Sequence, residues 1–420
     1  MRASHQHIHL QRERNAQQEE PLFFISTSAT DRAAVEVLNE VFSYAIDHRI
    51  SDVHLESTEF GMDIRMRHAG RMTLYKQVSS LVERDIDNKI RSRCRFSSAD
   101  RMQPFDGKMR FQSLRTGAAA DVRVSLLPSV NGVSIVCRIL DSNRNLMRLD
   151  DIVMPDALRR DIRRMIQRPQ GMFLVSGPTG SGKTTTLYGI LQEFDASASK
   201  IITIEDPVEY RIHGFTQAEV TPKMGFAGAL RSILRQDPDI VLVGEIRDSE
   251  TARIAVQAAL TGHLVLSTIH ANDSVLTVTR LLDLDVEPNA LSAALTAVSA
   301  QRLLRRVCQF CATPRPLNEY EIDEFARAGV AAPIQTWDIN PDGCDHCVNG
   351  WSGRMPIYEF FTLAPKARLC VERADVKALR EFVAQQPAFT PLLAAGLRLA
   401  ADGYTTVEEV VSVVGSIVVD

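Results

Sequence analysis

Gly177-Pro178-Thr179-Gly180-Ser181-Gly182-Lys183-Thr184 fits the pattern G-x-x-x-x-G-K-[ST] at every required position. Its flanks agree with it. Met172-Phe173-Leu174-Val175-Ser176 reads as a buried strand, and Thr185-Thr186-Leu187-Tyr188-Gly189-Ile190-Leu191 reads as the first turns of a helix. The glycines let the backbone fold tightly, so that the N–H groups of the stretch Gly177–Thr185, all but that of Pro178, which has none, and the helix N-terminus face a polyphosphate. Lys183 reaches the outer phosphates, and the Thr184 hydroxyl suits Mg²⁺. A glycine-rich turn without chemistry has no need of a strand before it and a helix after it. The stretch implies a bound nucleoside triphosphate.

Around the loop, strand-like and helical stretches alternate from Asp151 onward. Phe173–Ser176, Ile201–Ile204, Ile240–Val243 and Leu264–Ser267 are short apolar runs, the pattern of a parallel sheet covered on both faces. Ahead of them lies a small α+β domain, residues 31–142. It opens with Ala34, Val35, Val37, Leu38, Val41, Phe42, Ala45 and Ile46 at helical spacing. Segments 51–56, 61–68 (with a turn at Ala69-Gly70), 122–126 and 133–140 alternate as strands do. Residues 1–30 read as a flexible leader and 143–154 as a linker. Residues 155–420 form the α/β domain, with a cysteine-bearing insertion at 305–355 and a helical region at 356–420.

Three further clusters follow the loop. In Thr203-Ile204-Glu205-Asp206-Pro207-Val208-Glu209 the acids end a strand, on the edge where open α/β sheets bind ligands, so Glu205 is a candidate to position or deprotonate an attacking water. A solvated loop acid is the plainer alternative. In Asp239-Ile240-Val241-Leu242-Val243-Gly244-Glu245-Ile246-Arg247-Asp248 an apolar strand ends in Glu245, which suits the carboxylate on the Mg²⁺ side. In Thr261-Gly262-His263-Leu264-Val265-Leu266-Ser267-Thr268-Ile269-His270-Ala271-Asn272-Asp273 the closing polar run, His270 above all, can hydrogen-bond a γ-phosphate or its water.

The same segments recur in this order in one family, and the chain resembles the secretion ATPases of type II secretion and type IV pilus assembly. The match runs from about Asp31 to near the C-terminus and takes in Ser51-Asp52-Val53-His54-Leu55-Glu56 and Gly403-Tyr404-Thr405-Thr406-Val407-Glu408-Glu409. The resemblance implies a RecA-like P-loop domain, a PAS-like small domain that clamps over ATP, Mg²⁺-dependent hydrolysis and a homo-hexameric ring. It also implies Arg123 and Arg138 from the small domain, and Arg231 and Arg235 from the large one, as cations near the γ-phosphate. Such cations neutralise charge that spreads over the phosphate oxygens during transfer. Arg231 and Arg235 lie one helical turn apart, so both can face one site or one subunit boundary.

Cys308-Gln309-Phe310-Cys311 and Cys344-Asp345-His346-Cys347 make two C-x₂-C pairs. Four soft sulfurs with no open position suit a structural Zn²⁺, and a long loop between the pairs closes at little extra entropy. Disulfides are the alternative, disfavoured in a cytosolic chain. Cys94, Cys137 and Cys370 are scattered, and read as core or surface thiols. By resemblance the tetracysteine module marks the assembly and secretion branch. Retraction ATPases and those of type IV secretion generally lack it. Many assembly ATPases carry a further N-terminal docking domain, whereas here about 30 residues precede the small domain.

Composition excludes some classes. With 45% hydrophobic and 24% charged residues and a net charge of -4, the chain has no general attraction to nucleic acid or anionic lipid. No apolar stretch approaches the roughly 20 residues that a membrane span needs. The N-terminus lacks the apolar core of a secretory signal, and His5, His7 and His9 in it read as bland rather than metal-binding. The expectation is a cytoplasmic ATPase held at the inner membrane by a platform protein, with no nucleic-acid partner, powering a type IV pilus or a type II secretion pseudopilus. Two rivals are a RecA-fold DNA translocase and a nucleotide-gated scaffold that scarcely hydrolyses.

Overall fold

The computed structural model describes residues 23–26, 31–96, 102–140, 147–221, 223–387 and 389–415. The chain divides into two compact units, Met1–Asn145 and Leu146–Asp420. Most of the expected leader, with His5, His7 and His9, lies outside the described residues, as do residues 141–146. Phe24 departs from the leader expectation: it is buried in the small unit's core, its ring 5.9 Å from those of Phe42 and Phe111.

The small unit runs α1 (Arg32–Asp47), β1 (Asp52–Thr58), β2 (Gly61–His68), β3 (Arg71–Ser79), α2 (Ser80–Arg93), β4 (Phe105–Gln112), β5 (Ala119–Ser129) and β6 (Gly132–Leu140). Its six strands form one antiparallel sheet in the order β3-β2-β1-β6-β5-β4. Ala69 and Gly70, with φ of 47° and 89°, make the two-residue turn that matches strand twist between β2 and β3. Alternation decides what each face does. Val53, Leu55, Ile64, Met66, Val122, Val124, Ile135 and Cys137 pack on Leu38 and Phe42 of α1 and on Ile86 and Ile90 of α2. The residues between them, among them Asp52, Arg67, Arg123 and Arg138, belong to the opposite face.

The large unit runs α3 (Asp156–Ile166), β7 (Gly171–Ser176), α4 (Lys183–Leu191), β8 (Ile201–Glu205), β9 (Thr216–Glu219), α5 (Phe226–Ile233), β10 (Ile240–Val243), α6 (Ser249–Leu260), β11 (Leu264–Ile269), α7 (Ser274–Asp283), α8 (Pro288–Ala294) and β12 (Leu295–Val307). It continues with β13 (Thr313–Pro316), α9 (Glu319–Arg327), β14 (Gln335–Asp338), β15 (Trp351–Thr362), α10 (Pro365–Glu372), α11 (Val376–Ala384), α12 (Leu392–Ala401) and α13 (Val407–Val414). Its main sheet has the order β15-β12-β7-β11-β10-β8-β9. Met172, Leu174, Val241 and Val243 enter one core, and Phe173, Val175, Ile240 and Leu242 another, so both faces are covered.

Four sequence expectations change. The sheet is not wholly parallel, because β15 pairs antiparallel with β12 at its edge. The cysteine insertion is shorter than 305–355, since β12 runs through Val307 and β15 begins at Trp351. For the same reason the C-terminal region starts in a strand rather than in helix. Finally, the expected linker 143–154 reaches into the large unit: Leu149, Ile152 and Met154 are buried against Leu158, Leu187 and Ile190. Among the described residues no helix is long and apolar enough to cross a membrane.

Candidate active site

The phosphate loop joins β7 to α4. Its glycines at 177, 180 and 182 have φ of 149°, 78° and 87°, a region that L side chains rarely adopt. At Gly177 a Cβ would also lie 2.5 Å from the Gln301 carbonyl oxygen and 2.6 Å from Ser181 Oγ. Lys183 Nζ donates to the carbonyl oxygens of Gly177 at 2.7 Å and Pro178 at 2.9 Å, which places the ammonium inside the loop's curve. Burial lowers the Lys183 pKa to about 8, against the opposing pull of the Glu245 and Glu209 carboxylates. Thr184 is half-buried on the first turn of α4, and Thr185 beside it is exposed.

Adjacent strands bring the remaining groups to the same sheet edge. Thr268 Oγ1 donates to the Gly244 carbonyl at 2.6 Å, and the Ile246 N–H to the Thr268 carbonyl at 2.9 Å, pinning the turn after β10 to the end of β11. Glu245 then lies between His270 Nε2 at 2.8 Å and Arg247 Nε at 2.7 Å, its carboxylate only 14% exposed. The hydroxyl of Thr184 and the carboxylate of Glu245 are oxygen donors, the set a hard divalent cation prefers. A cavity of about 380 Å³ opens beside Gly177 and Pro178, against His270, Asn272 and Arg280.

Glu205 has a setting different from that of a water-facing base. It is buried, Oε2 accepts from the Tyr188 hydroxyl, and Oε1 accepts from Thr203 Oγ1 at 2.6 Å. Burial pushes its carboxyl above the usual range, while these donors pull the other way. Tyr188 belongs to α4, so the contact ties the helix behind the phosphate loop to β8. A side chain at residue 244 would be crowded: a Cβ on Gly244 would lie 3.0 Å from the Ile204 carbonyl oxygen.

The arginines fall into two groups. Arg231 donates to Glu250 at 2.5 Å, and Arg235 to the Arg231 carbonyl at 3.0 Å and to Ser232 Oγ at 3.3 Å. Both lie on the exposed surface of α5 and the turn after it, and their hydrogen bonds run to Glu250, Ser232 and the Arg231 carbonyl rather than to Lys183, Glu205 or Glu245. Arg123 and Arg138 are cross-strand neighbours on the open face of the small unit's sheet.

Sequence reasoning left out the backing of the loop. Thr186 Oγ1 donates to Gln301 Oε1 at 2.8 Å, and Arg302 donates to the carbonyls of Gln301 at 3.0 Å and Asn272 at 2.7 Å. Arg302 thus sits close enough to oppose the Lys183 charge. The signal was a Gln-Arg pair interrupting the apolar run 295–304, which a surface loop would not require. Glu209, in the same segment as Glu205, also acts on Lys183 through its charge.

The four module cysteines place their sulfurs within 4.8 Å of one another. Cys308–Cys344, Cys311–Cys347 and Cys344–Cys347 are 3.7, 3.6 and 3.7 Å apart, far beyond the roughly 2.05 Å of a disulfide. Zinc–sulfur bonds of about 2.3 Å in a tetrahedron set sulfurs about 3.8 Å apart, so the cluster fits such an ion. The module is fastened to the rest of the unit. Arg315, held by Glu321 within the module at 2.7 Å, reaches Glu408 outside it at 3.3 Å, and at the module's base Arg305 of β12 binds Glu409 at 2.9 Å. These contacts account for the Gly403–Glu409 motif, whose Thr406 caps α13.

Residues 27–412 match the family described as type II/IV secretion system protein. Type II secretion system protein E of Pectobacterium carotovorum subsp. carotovorum is 40% identical over 388 residues, 91% of this chain and 76% of that one. The crystal structure of the pilus retraction motor PilT with bound ADP is similar with a TM-score of 0.62 at 25% identity, covering 89% of this chain and 96% of that one. The fold also matches the ATPase DotB of Legionella pneumophila, with a TM-score of 0.67 at 19% identity over 93% and 97% of the two chains.

Proposed function

This chain belongs to the type II/IV secretion system protein family, as an ATPase of the secretion and pilus-assembly class, and we propose that it hydrolyses ATP to drive filament assembly. The single observation that carries this reading is the convergence of Lys183, Glu245 and His270 at one sheet edge around the phosphate loop. Lys183 and the loop N–H groups bind the triphosphate. Glu245, oriented from both sides by Arg247 and His270, accepts the proton of the water that attacks the γ-phosphorus, releasing ADP and phosphate. Thr184 and Glu245 would hold Mg²⁺, which when bound neutralises charge on the phosphate oxygens. Glu205, buried and bound by the Tyr188 and Thr203 hydroxyls, ties α4 to β8.

Arg123 and Arg138, cross-strand neighbours on the small unit, are cations of the kind that neutralises charge on a γ-phosphate. Arg231 and Arg235, turned to the surface, suit a boundary with a neighbouring copy in a hexameric ring. The ring would stand in the cytoplasm against an inner-membrane platform protein, and the tetracysteine cluster would hold a structural Zn²⁺. Phosphate release by the full chain and its E245Q variant tests the reading. The variant is expected to bind ATP but to hydrolyse it about 10²-fold or more slowly. Undiminished turnover in E245Q would refute it.

A further inference from the structure

One acid stands inside the large unit's apolar packing with no task in the chemistry above. Glu359 lies on β15, between Tyr358 and Phe360. Side chains alternate along a strand, so Glu359 shares a face with Phe361, which belongs to the same apolar cluster as Val275, Val278 and Leu281 of α7. Glu359 is only 5% exposed. Burying a carboxyl group costs free energy that an apolar side chain would not, so packing alone does not account for an acid here.

Its hydrogen bonds supply the reason. Oε1 accepts from the Ser274 N–H at 2.9 Å and from the Ser274 hydroxyl, and Oε2 accepts from the Leu392 N–H at 3.3 Å. Ser274 opens α7 and Leu392 opens α12, so one acid satisfies donors at two helix N-termini, where negative charge is favoured. Between His270 and α7 lie Ala271, Asn272 and Asp273, and these are tied down as well. Arg302 donates to the Asn272 carbonyl at 2.7 Å, and Arg380 of α11 to Asp273 Oδ2 at 3.0 Å. The turn 270–273 thus bridges two fixed points, the end of β11 in the sheet and the start of α7 on Glu359. At the near end of that bridge His270 Nε2 stands 2.8 Å from Glu245.

We propose that Glu359 is a positioning residue, which pins the first residue of α7 and so holds the turn 270–273 with His270 against the Glu245 carboxylate. This rests on the reading that Glu245, oriented by His270, takes the proton of the attacking water. A buried acid that served folding alone would lower stability when altered and leave the turnover of the folded molecules unchanged.

Steady-state kinetics of the full chain, expressed per folded molecule, separate the two. E359Q keeps the side chain's size but sets an amide N–H group among donors. It is expected to lower kcat about tenfold with KM for ATP within about twofold, because a displaced turn weakens the transition state more than the bound ground state. S274A removes only the hydroxyl's bond, so it should fold and lose about threefold in kcat. E359Q/H270A should be no slower than H270A alone, whereas a general loosening would slow the H270A chain by the full E359Q factor. Parental kcat in folded E359Q overturns the proposal, and so does an E359Q penalty that persists undiminished without His270. Where E359Q does not fold, S274A decides: the threefold loss upholds the proposal and parental kcat overturns it. If H270A itself turns over normally, the reading of His270 and Glu245 falls and takes this one with it. A slow H270A beside normal E359Q and S274A removes Glu359 alone.

Discussion

The two sheets present charge in opposite ways. In the large unit both faces of the main sheet are buried, so β10 is apolar from Ile240 to Val243 and chemistry begins only where it stops, at Gly244 and Glu245. In the small unit one face of an antiparallel sheet is left open, and cations stand along the strands themselves at Arg123 and Arg138. A sheet covered on both faces has only its ends to offer a ligand, and those ends fix loop geometry tightly. An open face offers a broad array whose members are held one by one, as Asp52 holds Arg138. The first design suits a loop that must grip phosphates.

Substitutions can break this contrast. Leu242, buried in the middle of β10, should behave as pure scaffold: L242A is expected to lower the unfolding free energy by about 2–5 kcal/mol, read by denaturant melts. A loss below about 1 kcal/mol would mean that the sheet's interior is not the tightly packed support described here. Arg123, on the open face, should behave in reverse. R123A is expected to unfold within about 0.5 kcal/mol of the parent while turnover falls about 10²-fold. A destabilised R123A with normal turnover would make the open face structural after all.

The contrast also explains what could be read without coordinates. Strands covered on both faces are short runs of apolar residues, so β7, β8, β10 and β11 stood out, and the loop and the acids ending the strands followed from them. β12 did not, because Gln301 and Arg302 interrupt its apolar pattern, the first bound to Thr186 on the helix behind the phosphate loop and the second to the Asn272 carbonyl. β15 was hidden by Arg354 and Glu359, the latter a buried acid bound to Ser274. In the small unit, β3 lies at a sheet edge with little buried, and α2 buries few apolar residues beyond Ile86 and Ile90. Partners distant in the chain decided these elements, and periodicity carries no record of them. Glu205 shows the same limit within the site. Its place at a strand end was legible, but the Tyr188 and Thr203 hydroxyls that occupy it come from packing.

The gripping end can be probed most finely through Lys183. Its ammonium in the folded chain titrates near 8 because it is buried, against an ordinary value near 10.5. Raising the pH from 7 to 9 therefore removes its charge, and a triphosphate binds the charged form. Affinity for ATP should fall about tenfold across that range, and binding near pH 8.5 should take up a proton, seen as a buffer-dependent heat. Stability should move the opposite way. Between about 8 and 10.5 the unfolded chain holds a proton on this amine that the folded chain does not, so the nucleotide-free fold gains stability as pH rises through that window. Affinity and stability moving in opposite directions is hard to obtain from general surface titration. The K183R variant, charged throughout, should lose the affinity slope whatever its absolute strength. An affinity that stays flat from pH 7 to 9 would place the amine in open solvent, and the loop would then be a looser grip than the burial of Lys183 implies.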